Sequence, residues 1–201
     1  IAAIGASLDP QCTAYSDALR LLGKVCRKIP ANDLNNLLMK AFSIESTNWI
    51  HNLWTLKLIG KLDFTLMNSN IMQKAFDLIE DATVSSSRKL QETAKQTVLS
   101  IRTTIPFEKF KIFIDYYIRR LDIFNQTDFE RRISFLSHVF LNMTGGWTLS
   151  FLSLATMVIE AMEVFDFSPS MFESVFTIMA IFNANLKEPE NTRIFAMHAV
   201  G

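Results

Sequence analysis

The sequence predicts an all-α chain, a right-handed α-solenoid of about five stacked antiparallel helix pairs. Three observations predict it. Apolar residues recur at spacings of three and four along most of the 201 residues, which is the period of one helical face. Only 6 Gly and 5 Pro occur in that length, so helices run long before a breaker stops them. The segments that open each pair start near Pro10, Thr47, Ser87, Thr127 and Ser168, at intervals of 37, 40, 40 and 41 residues. A two-helix unit of that size cannot bury its apolar face by itself, so successive units must stack.

The elements follow in order. Residues 1–8 read as a leader with no basic start, and Asp9-Pro10 as a helix opening in which Asp caps and Pro takes the first turn. Tyr15, Ala18, Leu19, Leu22, Val25 and Cys26 then form one stripe, ended by Ile29-Pro30. Leu34, Leu37, Leu38 and Ala41 form the second helix of that pair. Ile50, Leu53, Trp54, Leu58 and Leu62 make the next stripe, with Trp54 expected to pack between units. Its partner carries Ile71, Met72, Ala75, Phe76 and Ile79, and Glu80 to Ser87 reads as a polar linker whose serines suit a helix cap.

Leu90, Ala94, Val98, Ile101 and Ile105 step by four, four, three and four until Pro106 stops them. Phe110, Phe113, Ile114, Tyr117 and Leu121 line the following helix. The fourth pair runs from about Thr127 to Met143, then from about Trp147 to Val164 after Gly145-Gly146. Ser168-Pro169 opens a helix with Met171, Phe172, Val175, Phe176 and Met179, and Glu188-Pro189-Glu190 opens a last one. Residues 1–201 are expected to form a single helical-repeat domain. The chain begins without Met and stops inside a predicted helix, Ile194 to Val200, so it reads as a fragment of a longer protein.

Composition narrows the function. Apolar residues make up 49% of the chain and 17 residues are Phe, enough for a continuous core and incompatible with a disordered segment. Lys and Arg equal Asp and Glu at 20 each, so no global charge directs the chain to nucleic acid, and none is expected as a partner. Residues 133–159 carry no charge, yet Gly145-Gly146 and several serines divide them into two buried helices, and no membrane insertion is expected. Two cysteines, Cys12 and Cys26, would stand about 21 Å apart on one helix, too far for a disulfide. Two thiols without a framework point to a reducing compartment, cytoplasmic or nuclear.

Catalytic chemistry has no carrier in this sequence. His51, His138 and His198 lack metal-ligand spacing, and no P-loop, dinucleotide fingerprint or nucleophile elbow is present. The expectation is a non-enzymatic protein with no catalytic site, no metal and no cofactor. What remains is how charge sits on the rims. Lys24, Arg27, Lys28, Lys57, Lys61 and Arg102 fall at turns inside pairs, whereas Glu45, Glu80, Asp81, Asp122, Asp128, Glu130, Glu163 and Asp166 fall at turns between pairs. Basic residues at helix C-termini complement the macrodipole, which accounts for much of this pattern. Trp49 and Trp147 are candidates for exposure, and a tryptophan at such a place anchors partners. Lys109, Lys111 and Arg119 on the third pair's second helix complete the candidate partner-binding set.

The repeat resembles the HEAT/armadillo family of helical arrays. Glu188-Pro189-Glu190-Asn191-Thr192-Arg193-Ile194-Phe195-Ala196 is similar to the first-helix consensus of a HEAT unit, with an acidic-proline start, then Arg, then a small residue. The resemblance implies a protein–protein interaction scaffold with an extended surface for another protein. Within it, a tubulin-binding array of the TOG type is the alternative, and it would engage tubulin through the intra-pair turns.

Overall fold

The computed structural model describes residues 2–9, 11–42, 48–142 and 148–186. Among them the chain is all-α, with ten helices and no strand. They are α1 (Ala2–Ser7), α2 (Tyr15–Val25), α3 (Ala31–Phe42), α4 (Trp49–Ile59), α5 (Ser69–Val84), α6 (Arg88–Ile101), α7 (Phe107–Arg119), α8 (Gln126–Asn142), α9 (Thr148–Val164) and α10 (Pro169–Leu186). Short 3-10 turns, Cys26–Lys28 and Phe64–Leu66, follow α2 and α4. The chain resolves into two compact units, residues 1–110 and 111–201, with the boundary inside α7.

Local chemistry sets the helix ends. The Asn48 side chain accepts the Ile50 backbone N–H at 3.0 Å, and Asn68 accepts that of Ile71 at 2.9 Å, each satisfying a donor that the first turn leaves open. Pro30, Pro106 and Pro169 stand at helix starts, where a missing N–H costs nothing. The Ser168 hydroxyl accepts the Met171 N–H at 3.3 Å. Ser87 occupies the cap position of α6, but its side chain makes no cap bond.

Three expectations are corrected. The helix assigned to Asp9-Pro10 begins at Tyr15, because the Asp9 carboxylate accepts the Gln11 N–H at 3.0 Å in a local turn. The leader contains the short helix α1, which packs on α2. The polar linker assigned from Glu80 instead continues α5 to Val84. Glu80 is 2% exposed rather than solvated, because Ile79, Ala82 and Thr83 extend the buried face past it.

In the first unit, α2 packs on α4 and α4 on α6, while α3 packs on α5. First helices therefore neighbour first helices, and second helices neighbour second helices. Leu19, Leu22, Leu38, Leu56, Ile59, Ile71, Ala75, Ile79, Ala94, Val98 and Ile101 are buried between them. Each large apolar side chain among these contributes about 1.5–3 kcal/mol on burial. Cross-pair hydrogen bonds repeat the period. Thr97 Oγ1 donates to the Leu56 carbonyl at 3.1 Å, 41 residues away, and Thr104 Oγ1 to the Leu62 carbonyl at 3.4 Å, 42 away. Cys26 Sγ points at the Lys61 carbonyl at 3.8 Å, 35 away. Within the first pair, the buried Tyr15 hydroxyl donates to the Ala41 carbonyl at 3.2 Å.

In the second unit, α8 and α9 both pack on α10. Phe129, Ile133, Phe135, Leu136, Val139 and Phe140 of α8 are buried in its core, as are Met171, Val175 and Ile178 of α10. Gln126 Nε2 donates to the Asp166 carbonyl at 2.8 Å, again 40 residues apart. Arg132 is buried, bonded to Asp128 Oδ2 at 2.8 Å, with its guanidinium 5.0 Å from the Tyr117 ring centre. The uncharged stretch forms parts of two helices, and among the described residues no helix is long and apolar enough to cross a membrane.

Candidate functional site

The site is built on α4. Its buried face is Leu53, Leu56, Leu58 and Ile59. Trp54 is not part of it: the ring is half-buried and forms the floor of a groove between α2, α4 and α6. That corrects its expected place in the core stripe. Trp54, Lys57 and Lys61 follow one another by three and four residues, which keeps them on one side of the helix. Trp49, five residues before Trp54, points elsewhere and is 47% exposed.

Cations approach both tryptophans. Lys57 Nζ stands 4.4 Å from the Trp54 ring centre and Arg20 Cζ of α2 stands 5.9 Å from it. Lys89 Nζ of α6 lies 5.5 Å from the Trp49 ring centre. Both distances to Trp54 and that to Trp49 lie within cation–π reach. The groove has a cavity volume of about 460 Å³. Arg20, Lys57, Lys61 and Lys89 line it against one carboxylate, Glu92. Glu92 is itself held by Lys95 at 3.2 Å.

A short repeat in the sequence produces this grouping. Arg20-Leu21-Leu22-Gly23-Lys24 recurs as Lys57-Leu58-Ile59-Gly60-Lys61, 37 residues on. Both glycines lie where neighbouring first helices meet. A Cβ on Gly23 would stand 3.4 Å from Lys61 Cδ and 3.7 Å from Leu58 Cδ1, and one on Gly60 would stand 3.6 Å from Ser100 Cβ and 3.7 Å from Thr97 Cα. Each glycine therefore faces the first helix of the next pair. The basic residue three positions before it is carried to the groove.

The residues singled out from the sequence separate into three groups. Lys57 and Lys61 line the groove, and exposed Trp49 stands beside it under Lys89. Lys24, Arg27 and Lys28 are exposed at the end of α2 and its 3-10 turn, and Arg102 is exposed at the end of α6. Lys109, Lys111 and Arg119 lie on α7, Lys111 half-buried and the other two exposed. Trp147 lies outside the described residues. Sequence reasoning missed Arg20 and Lys89. Aligning Arg20-Leu21-Leu22-Gly23-Lys24 with Lys57-Leu58-Ile59-Gly60-Lys61 would have found Arg20. Lys89 carries no comparable signal.

The second unit carries an exposed aromatic ladder. The Phe167 and Phe172 rings meet at 5.5 Å and those of Phe172 and Phe176 at 6.3 Å. Phe176 is 68% exposed. A cavity of about 240 Å³ opens beside Met162, Phe165 and Phe167.

Among the described residues, no group of three or more His, Cys, Asp or Glu is placed to hold a metal ion. Cys12 and Cys26 are free thiols, and the single helix expected to carry both does not, because α2 begins at Tyr15 and ends at Val25. No protein-family model matches this chain, and no curated protein or solved structure matches it either.

Proposed function

We propose that this chain is a non-enzymatic protein–protein interaction scaffold, a HEAT-like helical-repeat array that presents an extended surface to another protein. The observation that carries the reading is the groove to which three successive first helices contribute. In a stacked array each added pair extends such a surface. The exposed phenylalanines of α10 add a second apolar surface of the kind that marks interaction sites. The reading needs no cofactor, and the two free thiols suit a reducing compartment, cytoplasm or nucleus. Affinity capture with the 201-residue chain, followed by gel filtration, tests it. A partner protein should migrate with the chain at fixed ratio and be recovered chemically unchanged. Recovery of a converted product, or of nucleic acid in place of protein, would contradict it.

A tubulin-binding array is the second reading. The feature that favours it is the run of exposed Lys24, Arg27 and Lys28 at the first intra-pair turn. Free tubulin should then co-elute with the chain at low salt, and its separate elution would remove this reading.

A further inference from the structure

We propose that the groove between α2, α4 and α6 is a receptor for an acidic, extended segment of a partner protein, with an apolar side chain of that segment laid on Trp54. The inference rests on the scaffold reading and specifies what the surface takes. The chain as a whole is neutral, with 20 basic and 20 acidic residues, yet the groove collects four cations against one carboxylate already paired to Lys95.

Helix-end electrostatics does not explain all of these cations. Lys57 and Lys61 at the end of α4 complement its dipole, but Arg20 stands inside α2. Lys89 stands in the first turn of α6, where a cation is unfavourable, and that turn contains no acidic residue. Arg20 and Lys57 approach the same Trp54 ring and repel one another there. An anionic ligand relieves both costs.

The arrangement also selects the shape of the ligand. The cations come from three neighbouring helices, and packed helices stand about 8–10 Å apart. A segment crossing α2, α4 and α6 therefore travels roughly 20 Å, which an extended chain covers in about six residues. Trp54 supplies an apolar seat at the middle of that path. Arg20 and Lys57 stand beside the Trp54 ring, so carboxylates flanking an apolar side chain on the indole meet both cations directly.

The test is fluorescence anisotropy with the 201-residue chain and a dye-labelled octapeptide of glutamates around one central phenylalanine. The controls are the same peptide with glutamine for every glutamate, and a labelled oligothymidine of matching charge. The glutamate peptide should bind, and its affinity should fall as ionic strength rises from about 0.05 to about 0.3 M. The double variant Lys57→Glu/Lys61→Glu should weaken it about tenfold or more, with a far-UV spectrum that still reports the folded helices. Lys89→Glu should weaken it as well. Lys74→Glu, an equal charge change on α5 outside the groove, should leave it within about twofold.

Equal binding of the glutamine peptide, indifference to Lys57→Glu/Lys61→Glu, or tighter binding of oligothymidine lost in the same variant would overturn the proposal. Protein partners retained by both the wild-type chain and the double variant would overturn it while leaving the scaffold reading in place. Peptide binding with no protein partner for either chain would overturn the scaffold reading instead.

Discussion

The Lys61 side chain lies across Gly23, with its Cδ 3.4 Å from the place a Cβ on residue 23 would take. This contact joins the Gly-Lys end of one repeat to that of the repeat before it. Its consequence is measurable. Gly23 lies inside α2 with no left-handed backbone, and the atom it faces belongs to a flexible side chain. Gly23→Ala should therefore stabilise the chain by about 0.5–1 kcal/mol through helix propensity, while pushing Lys61 outward. Urea unfolding followed by far-UV circular dichroism reads the sign. A loss of stability would mean that the helices approach more tightly than this contact indicates.

Tyr15 gives the first unit a dependence on alkaline pH. Burial raises its pKa above the ordinary tyrosine value, and a side-chain hydrogen bond with Thr55 opposes the rise in part. With the folded value above the unfolded one, the stabilisation is complete below the unfolded pKa of about 10 and is lost as pH rises from there through the folded pKa. Tyr15→Phe should cost about 1 kcal/mol at neutral pH, through the lost bond to Ala41. It should also flatten the fall in the urea midpoint above pH 10. Parallel alkaline curves for variant and wild type would exclude Tyr15 as the source.

In the second unit, Arg132 is buried against Asp128 and the Tyr117 ring. Asp128→Ala removes a carboxylate bonded to a buried guanidinium, at a cost of about 3 kcal/mol. Adding Arg132→Met should recover much of that loss, since a methionine fills similar space without a charge to satisfy. Thermal melts of the single and double variants decide it. A double variant no more stable than Asp128→Ala would show that Arg132 acts through other contacts.

The aromatic ladder of α10 permits a separate prediction. Phe176 is 68% exposed, so Phe176→Ser should change stability by less than about 0.5 kcal/mol. It should reduce any self-association seen at high concentration by sedimentation velocity. A destabilised variant would place Phe176 in a core.

Much of the fold was legible from spacing and breakers. The apolar stripe of α6 ends before Pro106, α10 opens at Ser168-Pro169, and α3 follows Pro30, each where residue chemistry places it. Asp9-Pro10 misled because a capping residue also closes a local turn. Trp54 misled for a different reason. Trp49, Ile50, Leu53, Trp54, Leu56, Leu58 and Ile59 spread round all sides of α4, so periodicity does not say which faces the core. The groove was illegible because its cations lie on three helices. Lys57 and Lys61 read as turn charges until the repeat of Arg20-Leu21-Leu22-Gly23-Lys24 shows that they stand on a shared face.

A partner seated in the groove touches the first helices of successive pairs rather than the turns or a single element. Hydrogen–deuterium exchange of the 201-residue chain, with and without a protein recovered by affinity capture, tests it most directly. Slowed exchange is expected within 19–23, 54–61 and 89–100, the segments that line the groove. Protection confined to the turns at 26–30 and 102–106, or to the second unit, would contradict it.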